Sequence, residues 1–223
     1  MWQHFFEREK KILNPYIMKL NDHKEYIMYD KEIINSYKNR WNEYFKNDNP
    51  IYLEIGCGAG NFTIKNSVKY PNRNYLAVEL RFKRLVLASE KATKRDLKNL
   101  VFLRQNGNDI LNFIGSNEID GIYINFPDPW EKKVKNRIIQ PKLFELTDKI
   151  MKKNGKIFFK TDHYGYYLDV LEKLESINNY KILFHTDDLH NSIKKEDNLT
   201  TEFEDLFLKQ NLKINYIEIE KEV

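Results

Sequence analysis

Leu53-Glu54-Ile55-Gly56-Cys57-Gly58-Ala59-Gly60 decides the fold, because here an apolar run ends on an acid and passes into a glycine turn. Ile51 to Ile55 predicts a strand, and the glycines permit a tight turn where the backbone approaches a ligand before a helix opens. The spacing is E-x-G-x-G-x-G, and Asn61 stands where the dinucleotide fingerprint G-x-G-x-x-G places its third glycine. Glu54 beside the turn would repel a pyrophosphate but suits a cationic amino acid moiety, which favours S-adenosylmethionine over NAD. A glycine turn that serves packing alone is the competing reading.

Outward from this turn, short apolar runs alternate with amphipathic ones. The pattern predicts strands near 51–55, 74–79, 100–104, 119–124 and 156–160, and helices over about 60–70, 81–96, 109–114, 141–152 and 164–177. This is the βαβ rhythm of a parallel α/β sheet. Gly155 suits a helix stop after Lys152. Two later strands are expected at Tyr180 to His185 and Leu212 to Glu220; the second shifts apolar phase after Tyr216, as a bulge or two-sided burial would require. Lys194 to Asn198 is polar enough for a mobile loop. Residues 1–49 are aromatic-rich and glycine-free, with weak helical periodicity in Ile33, Ile34, Tyr37 and Trp41 before Pro50 ends them. They predict an N-terminal extension packing on a main domain of residues 50–223.

The 223 residues suffice for one sizeable core, and 37 basic against 33 acidic residues give a net charge of only +4. A nucleic-acid face must therefore come from local clustering. Cys57 is the only cysteine, which excludes an internal disulfide, and the five histidines lack paired ligand spacing, so no structural metal is expected. No run of about 18 apolar residues occurs, and the start, Met1 to Arg8, soon becomes charged; a cytoplasmic protein without membrane partners is expected.

Further polar residues close the other strands. Glu79 lies roughly 20 residues beyond the glycines, the interval of an acid that accepts from ribose hydroxyls. Asn106 follows the third strand, within reach of an adenine edge or as a turn residue before Gly107. Asp128 follows the fourth and Thr161-Asp162 the fifth, so all these groups fall on the carboxyl edge, where open α/β sheets bind ligands. Asp128 sits in Asn125-Phe126-Pro127-Asp128-Pro129-Trp130, where two prolines push Phe126 and Asp128 toward extended backbone and make a rigid loop. Read alone, Asp-Pro is a turn. Lys132, Lys133, Lys135 and Arg137 follow at once, either as a solvated face or as a grip on a phosphate backbone. Trp130 either stacks on a base or packs.

With these motifs the chain resembles the bacterial-type tRNA (guanine-N7)-methyltransferases. The resemblance runs from about Pro50 to the C-terminus, through Leu53 to Gly60, Val78-Glu79-Leu80, Asn125 to Lys132, Lys160-Thr161-Asp162 and Thr201-Glu202-Phe203-Glu204. The Pro-Asp-Pro-Trp loop is its specific part. It implies a Rossmann-like class I methyltransferase fold, with a seven-stranded, mostly parallel sheet and helices on both faces. It also implies methyl transfer from S-adenosylmethionine to N7 of guanosine 46 in the tRNA variable loop. By position, Glu54, Gly56, Glu79, Asn106 and Asp128 would hold the cofactor, while Lys132, Asp162, Thr201, Glu202, Phe203 and Glu204 would contact substrate. Lys133, Lys135 and Arg137 would contact RNA. Asn106 departs from the family, which usually has a carboxylate there, so an adenine contact would rest on an amide oxygen. Thr201 to Glu204 also reads as a capping box.

Guanine N7 carries an in-plane lone pair and needs no deprotonation, so positioning and electrostatics replace a strong base. Asp128 would orient the base and answer the positive charge developing on it, and Asp162 would accept from the guanine Watson–Crick edge. The rival readings are an amino-group N-methyltransferase acting on another RNA or a protein, since the loop loosely resembles N-P-P-Y-type loops, and a non-catalytic RNA-binding module. A monomer or a homodimer is compatible with everything above.

Overall fold

The computed structural model describes residues 15–222; the charged start expected at residues 1–8, with His4, lies outside them. Among the described residues, eight strands form one sheet, β1 (Ile27–Met28), β2 (Ile51–Ile55), β3 (Asn74–Val78), β4 (Leu100–Leu103), β5 (Ile119–Asn125), β6 (Met151–Thr161), β7 (Tyr180–Thr186) and β8 (Asn215–Lys221), in the order β1-β4-β3-β2-β5-β6-β8-β7. Every pairing from β1 to β6 is parallel, and β8 runs antiparallel to both β6 and β7. The order reverses at β2, between β3 and β5, which opens a ligand crevice at the carboxyl ends of those strands. The sheet has eight strands against the seven expected, because Ile27 and Met28 of the N-terminal region pair with Phe102 and Leu103.

Both faces are buried, which is why the central strands read as continuous apolar runs. Leu53, Leu76, Val78, Ile122, Ile157 and Phe159 face the larger core, beneath helices 31–36, 41–45, 110–113, 141–150 and 164–174. Tyr75, Ala77, Phe102 and Tyr123 face the other core, beneath the Asn61–Lys69 and Phe82–Thr93 helices. The N-terminal region contributes to both cores, Ile34, Trp41 and Phe45 to the first and Leu20, Tyr26 and Ile27 to the second. Trp41 is fully buried, its indole N–H donating to Phe113 O at 2.8 Å, and the Glu118 carboxylate accepts from the Asn39 and Trp41 N–H groups.

Two expectations change here. The helix over 141–150 begins on Pro141 and gives way directly to β6, so Gly155 is not its stop. Asn154 takes φ 62°, Gly155 lies where a Cβ would meet Lys152 O at 2.8 Å, and the register shifts between Ile119 and Gly121; the glycine serves an irregularity inside the strand. The phase change in the last strand is two-sided burial: β8 lies between β6 and β7, its ladder to β6 is unbroken, and the shift falls in β7 between Ile182 and Phe184.

Candidate active site

The glycine turn closes β2 as its residue types demand. Gly56, Gly58 and Gly60 all have positive φ, at 80°, 56° and 73°, where an L side chain is strained. The Gly56 and Cys57 N–H groups both donate to Val78 O, folding the turn over the end of β3. A Cβ on Gly60 would lie 2.7 Å from the Ala88 Cβ and 2.9 Å from the Phe102 ring, so this glycine admits the Phe82–Thr93 helix. Above Gly56 and Gly58 a Cβ would meet nothing within 4 Å, so the strained backbone faces open space, as a ligand cradle must.

Glu54 lies beneath that cradle, 5% exposed. Its carboxylate accepts from the Thr63 hydroxyl and, at 3.0 Å, from Asn125 Nδ2 at the end of β5. Burial pushes its pKa up, against those two hydrogen bonds and the charge of Lys160. Asn125 Oδ1 is buried with no hydrogen-bond partner among the described residues. A carboxylate and an orphan amide oxygen thus meet at a small cleft of about 80 Å³ that also touches Gly58, Asn61, Arg84 and Phe203. Such acceptors fit a cationic amino acid group and not a phosphate. Burial beside Glu54 and Glu79 raises the Cys57 thiol well above its ordinary pKa, which makes it a poor nucleophile.

A larger cleft of about 410 Å³ continues from Gly56 past Glu79 and Asn106, walled opposite by Lys135, Arg137 and Leu143. Glu79 Oε1 accepts from the Leu80 and Arg81 N–H groups at 2.8 and 2.9 Å, which fixes the carboxylate on the strand end. Asn106 Oδ1 accepts from Asn108 N at 3.0 Å. A carbonyl oxygen has two lone pairs, so one remains for a ligand amino group.

The Pro127-Asp128-Pro129 loop is held at both ends. Phe126 N donates to Lys160 O at 2.9 Å, Asp128 Oδ1 accepts from Trp130 N at 3.1 Å, and Arg137 Nε donates to Pro129 O at 2.7 Å. Phe126 was expected to be extended; its φ is 50°, and that of Trp130 is 43°. Such backbone costs roughly 1–3 kcal/mol per residue and persists where tertiary contacts impose it. Here those contacts are the Lys160 carbonyl and the Phe207 ring, 5.5 Å from that of Phe126. Asp128 itself is exposed on the rim, outside the walls of both clefts.

Arg137 departs from the RNA-facing row. It is buried, its Nη1 pairs with Asp169 at 2.9 Å, and its guanidinium stacks 4.5 Å over Tyr166, so it secures the loop from behind. Lys132, Lys133 and Lys135 remain exposed, as does Asp162 beyond β6. Thr201 opens the Glu202–Lys209 helix with a complete capping box, its hydroxyl accepting from Glu204 N and the Glu204 carboxylate accepting from Thr201 N. Glu204 is therefore internal: fully buried, it also takes Lys160 Nζ at 2.9 Å, His190 Nε2 at 2.8 Å and Asn198 Nδ2 at 2.6 Å. Glu202 and Phe203, together with Thr201, line the small cleft. Asn198 is tied to Lys160 and Glu204, and Lys194 to Glu218 at 2.6 Å, so the expected mobile loop is anchored. Thr63 and His190 carry no signal in the sequence, and Asn125 and Lys160 appear there only within motifs, because each meets its partner only through the fold.

The profile of a family described as "Putative methyltransferase" matches residues 48–217. A tRNA (guanine-N7)-methyltransferase of Clostridioides difficile is 36% identical over 91% of this chain and 94% of its own length. That of Bdellovibrio bacteriovorus is 34% identical over 92% of this chain and its full length. This chain belongs to the tRNA (guanine-N7)-methyltransferase family. It is an enzyme of that family, with the family's class I methyltransferase fold. A bifunctional glycosyltransferase/methyltransferase of Fusobacterium nucleatum is 54% identical over 99% of this chain, which spans 35% of that protein's length. Among solved structures, the 16S rRNA methyltransferase KamB superposes with a TM-score of 0.63 at 11% identity, covering 83% of this chain and 94% of that one; this likeness concerns the fold alone. Among the described residues, no helix is long and apolar enough to cross a membrane.

Proposed function

We propose that this member of the family transfers a methyl group from S-adenosylmethionine to N7 of guanosine 46 in the tRNA variable loop. The observation that carries the reading is the pairing of buried Glu54 with the unpartnered Asn125 Oδ1 at the open glycine cradle. These acceptors suit the ammonium end of S-adenosylmethionine, while Glu79 suits ribose hydroxyls and Asn106 the adenine amino group. Bound there, S-adenosylmethionine supplies an electrophilic methyl group on a sulfonium centre.

The chain's own residues then have three tasks. Gly56 and Gly58 leave room for close approach of the donor. The loop held by Lys160 O and Arg137 keeps Asp128 at the rim, where its carboxylate orients the guanine and answers the charge appearing on the purine. Asp162 accepts from the guanine edge, and Lys132, Lys133 and Lys135 hold phosphates. No proton need leave N7, which agrees with a site built on fixed hydrogen bonds instead of a base. The test is incubation with labelled S-adenosylmethionine and unmodified tRNA, followed by nucleoside analysis. Label in 7-methylguanosine is expected; label in an amino-methylated nucleoside would favour the amino-group rival.

A further inference from the structure

Lys65, Lys69, Lys91 and Arg95 line a groove of about 320 Å³ between the Asn61–Lys69 and Phe82–Thr93 helices. Its walls contain no carboxylate among the described residues, and its apolar lining is Ile64, Val68 and Leu199. Neutral oxygens position all four cations, and Lys65 and Lys91 each also face one carboxylate. Lys65 Nζ donates to Thr200 O and Oγ1 at 2.8 and 2.7 Å, and Lys91 Nζ to Asn61 Oδ1 at 2.6 Å. Lys69 Nζ donates to Asp197 O at 3.3 Å, and Arg95 Nη1 to Lys91 O at 2.8 Å. Asp205 approaches Lys65 at 3.7 Å, and Glu202, which lines the small cleft, approaches Lys91 at 3.8 Å. Asn61 belongs to the walls of both the groove and the small cleft, so the row of cations leads to the transfer site.

We propose that this groove is a second RNA-docking surface, which holds the sugar-phosphate backbone of the substrate on the sheet face opposite the Lys132–Lys135 row. The inference rests on the function proposed above. A single phosphate would be met by convergent donors; four cations spread along an open groove match a chain of phosphates, and each engaged charge releases counterions. Lys135 lines the larger cleft with Gly56 and with Lys142 and Leu143 of the helix over 141–150, so RNA gripped by both rows would straddle the carboxyl edge of the sheet.

The test is the salt dependence of binding of an unmodified tRNA transcript to the K69Q/R95Q chain. Both side chains are exposed, so S-adenosylmethionine affinity and thermal midpoint should match the wild type and report an intact fold. Removing two phosphate contacts should flatten the slope of log K against log salt by about 1.5, so a fourfold rise in salt costs the variant roughly eightfold less affinity than it costs the wild type. The charge-keeping K69R/R95K should restore the wild-type slope. A wild-type slope in K69Q/R95Q overturns the docking surface alone, provided the wild type makes 7-methylguanosine. Failure of the wild-type chain to bind or methylate tRNA overturns the proposed function as well.

Discussion

Burial of Glu54 at the end of β2 favours its neutral form, and the Thr63 and Asn125 donors and the Lys160 charge offset only part of that effect. Its folded pKa lies above the unfolded value. The protonated form therefore stabilises the fold, and that stabilisation is lost as pH rises through the folded pKa. Glu54→Gln should keep or raise the thermal midpoint near neutral pH, whereas S-adenosylmethionine affinity falls. In the wild type, affinity measured by calorimetry should decline on acidification through the raised pKa; in the variant this dependence should vanish. Asn125→Ala removes a hydrogen bond to a charged group, commonly about 1.5–3 kcal/mol, so the dissociation constant should rise about 10- to 100-fold. The positions of Glu54 and Glu79 at strand ends were legible, because β2 and β3 are recognisable apolar runs, and Asn106 lies three residues beyond β4. Asn125 as the partner of Glu54 was not, since the two are 71 residues apart and meet only when β5 pairs with β2.

Arg137 ties the Pro127-Asp128-Pro129 loop to the Tyr164–Leu174 helix through Pro129 O and Asp169. Arg137→Ala leaves Asp169 with Lys173 alone and releases Pro129 O; turnover should fall about tenfold or more, with S-adenosylmethionine affinity nearly unchanged, which single-turnover kinetics and calorimetry can separate. Gly60→Ala forces a side chain onto φ 73° and against Ala88 and Phe102; overpacking of this kind costs about 1–3 kcal/mol, readable as a lower urea midpoint. Strands β2 to β5 could be read to within a residue, because burial on both faces leaves unbroken apolar runs, whereas β6 begins five residues before the expected 156 and β8 three residues after the expected 212. The role of Arg137 could not: in sequence it continues a basic run, and only packing on Tyr166 separates it from Lys132, Lys133 and Lys135. Phe126 misled for a related reason, as tertiary contacts outweigh the preference of a residue before proline.

At the scale of the molecule, the N-terminal region supplies an edge strand and part of the larger core. Trp41→Ala should lower stability by about 3–5 kcal/mol, seen as a fall in thermal midpoint, because it opens a cavity and orphans Phe113 O. The edge strand was illegible in sequence, being two residues that pair only because β4 presents its free edge. The sheet gathers Glu54, Glu79, Asn106, Asn125 and the Asp128 loop onto one edge, and under the function proposed above this edge delivers a methyl group to N7 of one guanosine. The most direct test is to treat an unmodified tRNA transcript with the enzyme and S-adenosylmethionine, then cleave the chain selectively at 7-methylguanosine. Scission at guanosine 46 alone, absent when that position is adenosine and strongly reduced with Asp128→Ala, is the predicted result. Cleavage elsewhere, or wild-type cleavage by Asp128→Ala, would contradict it.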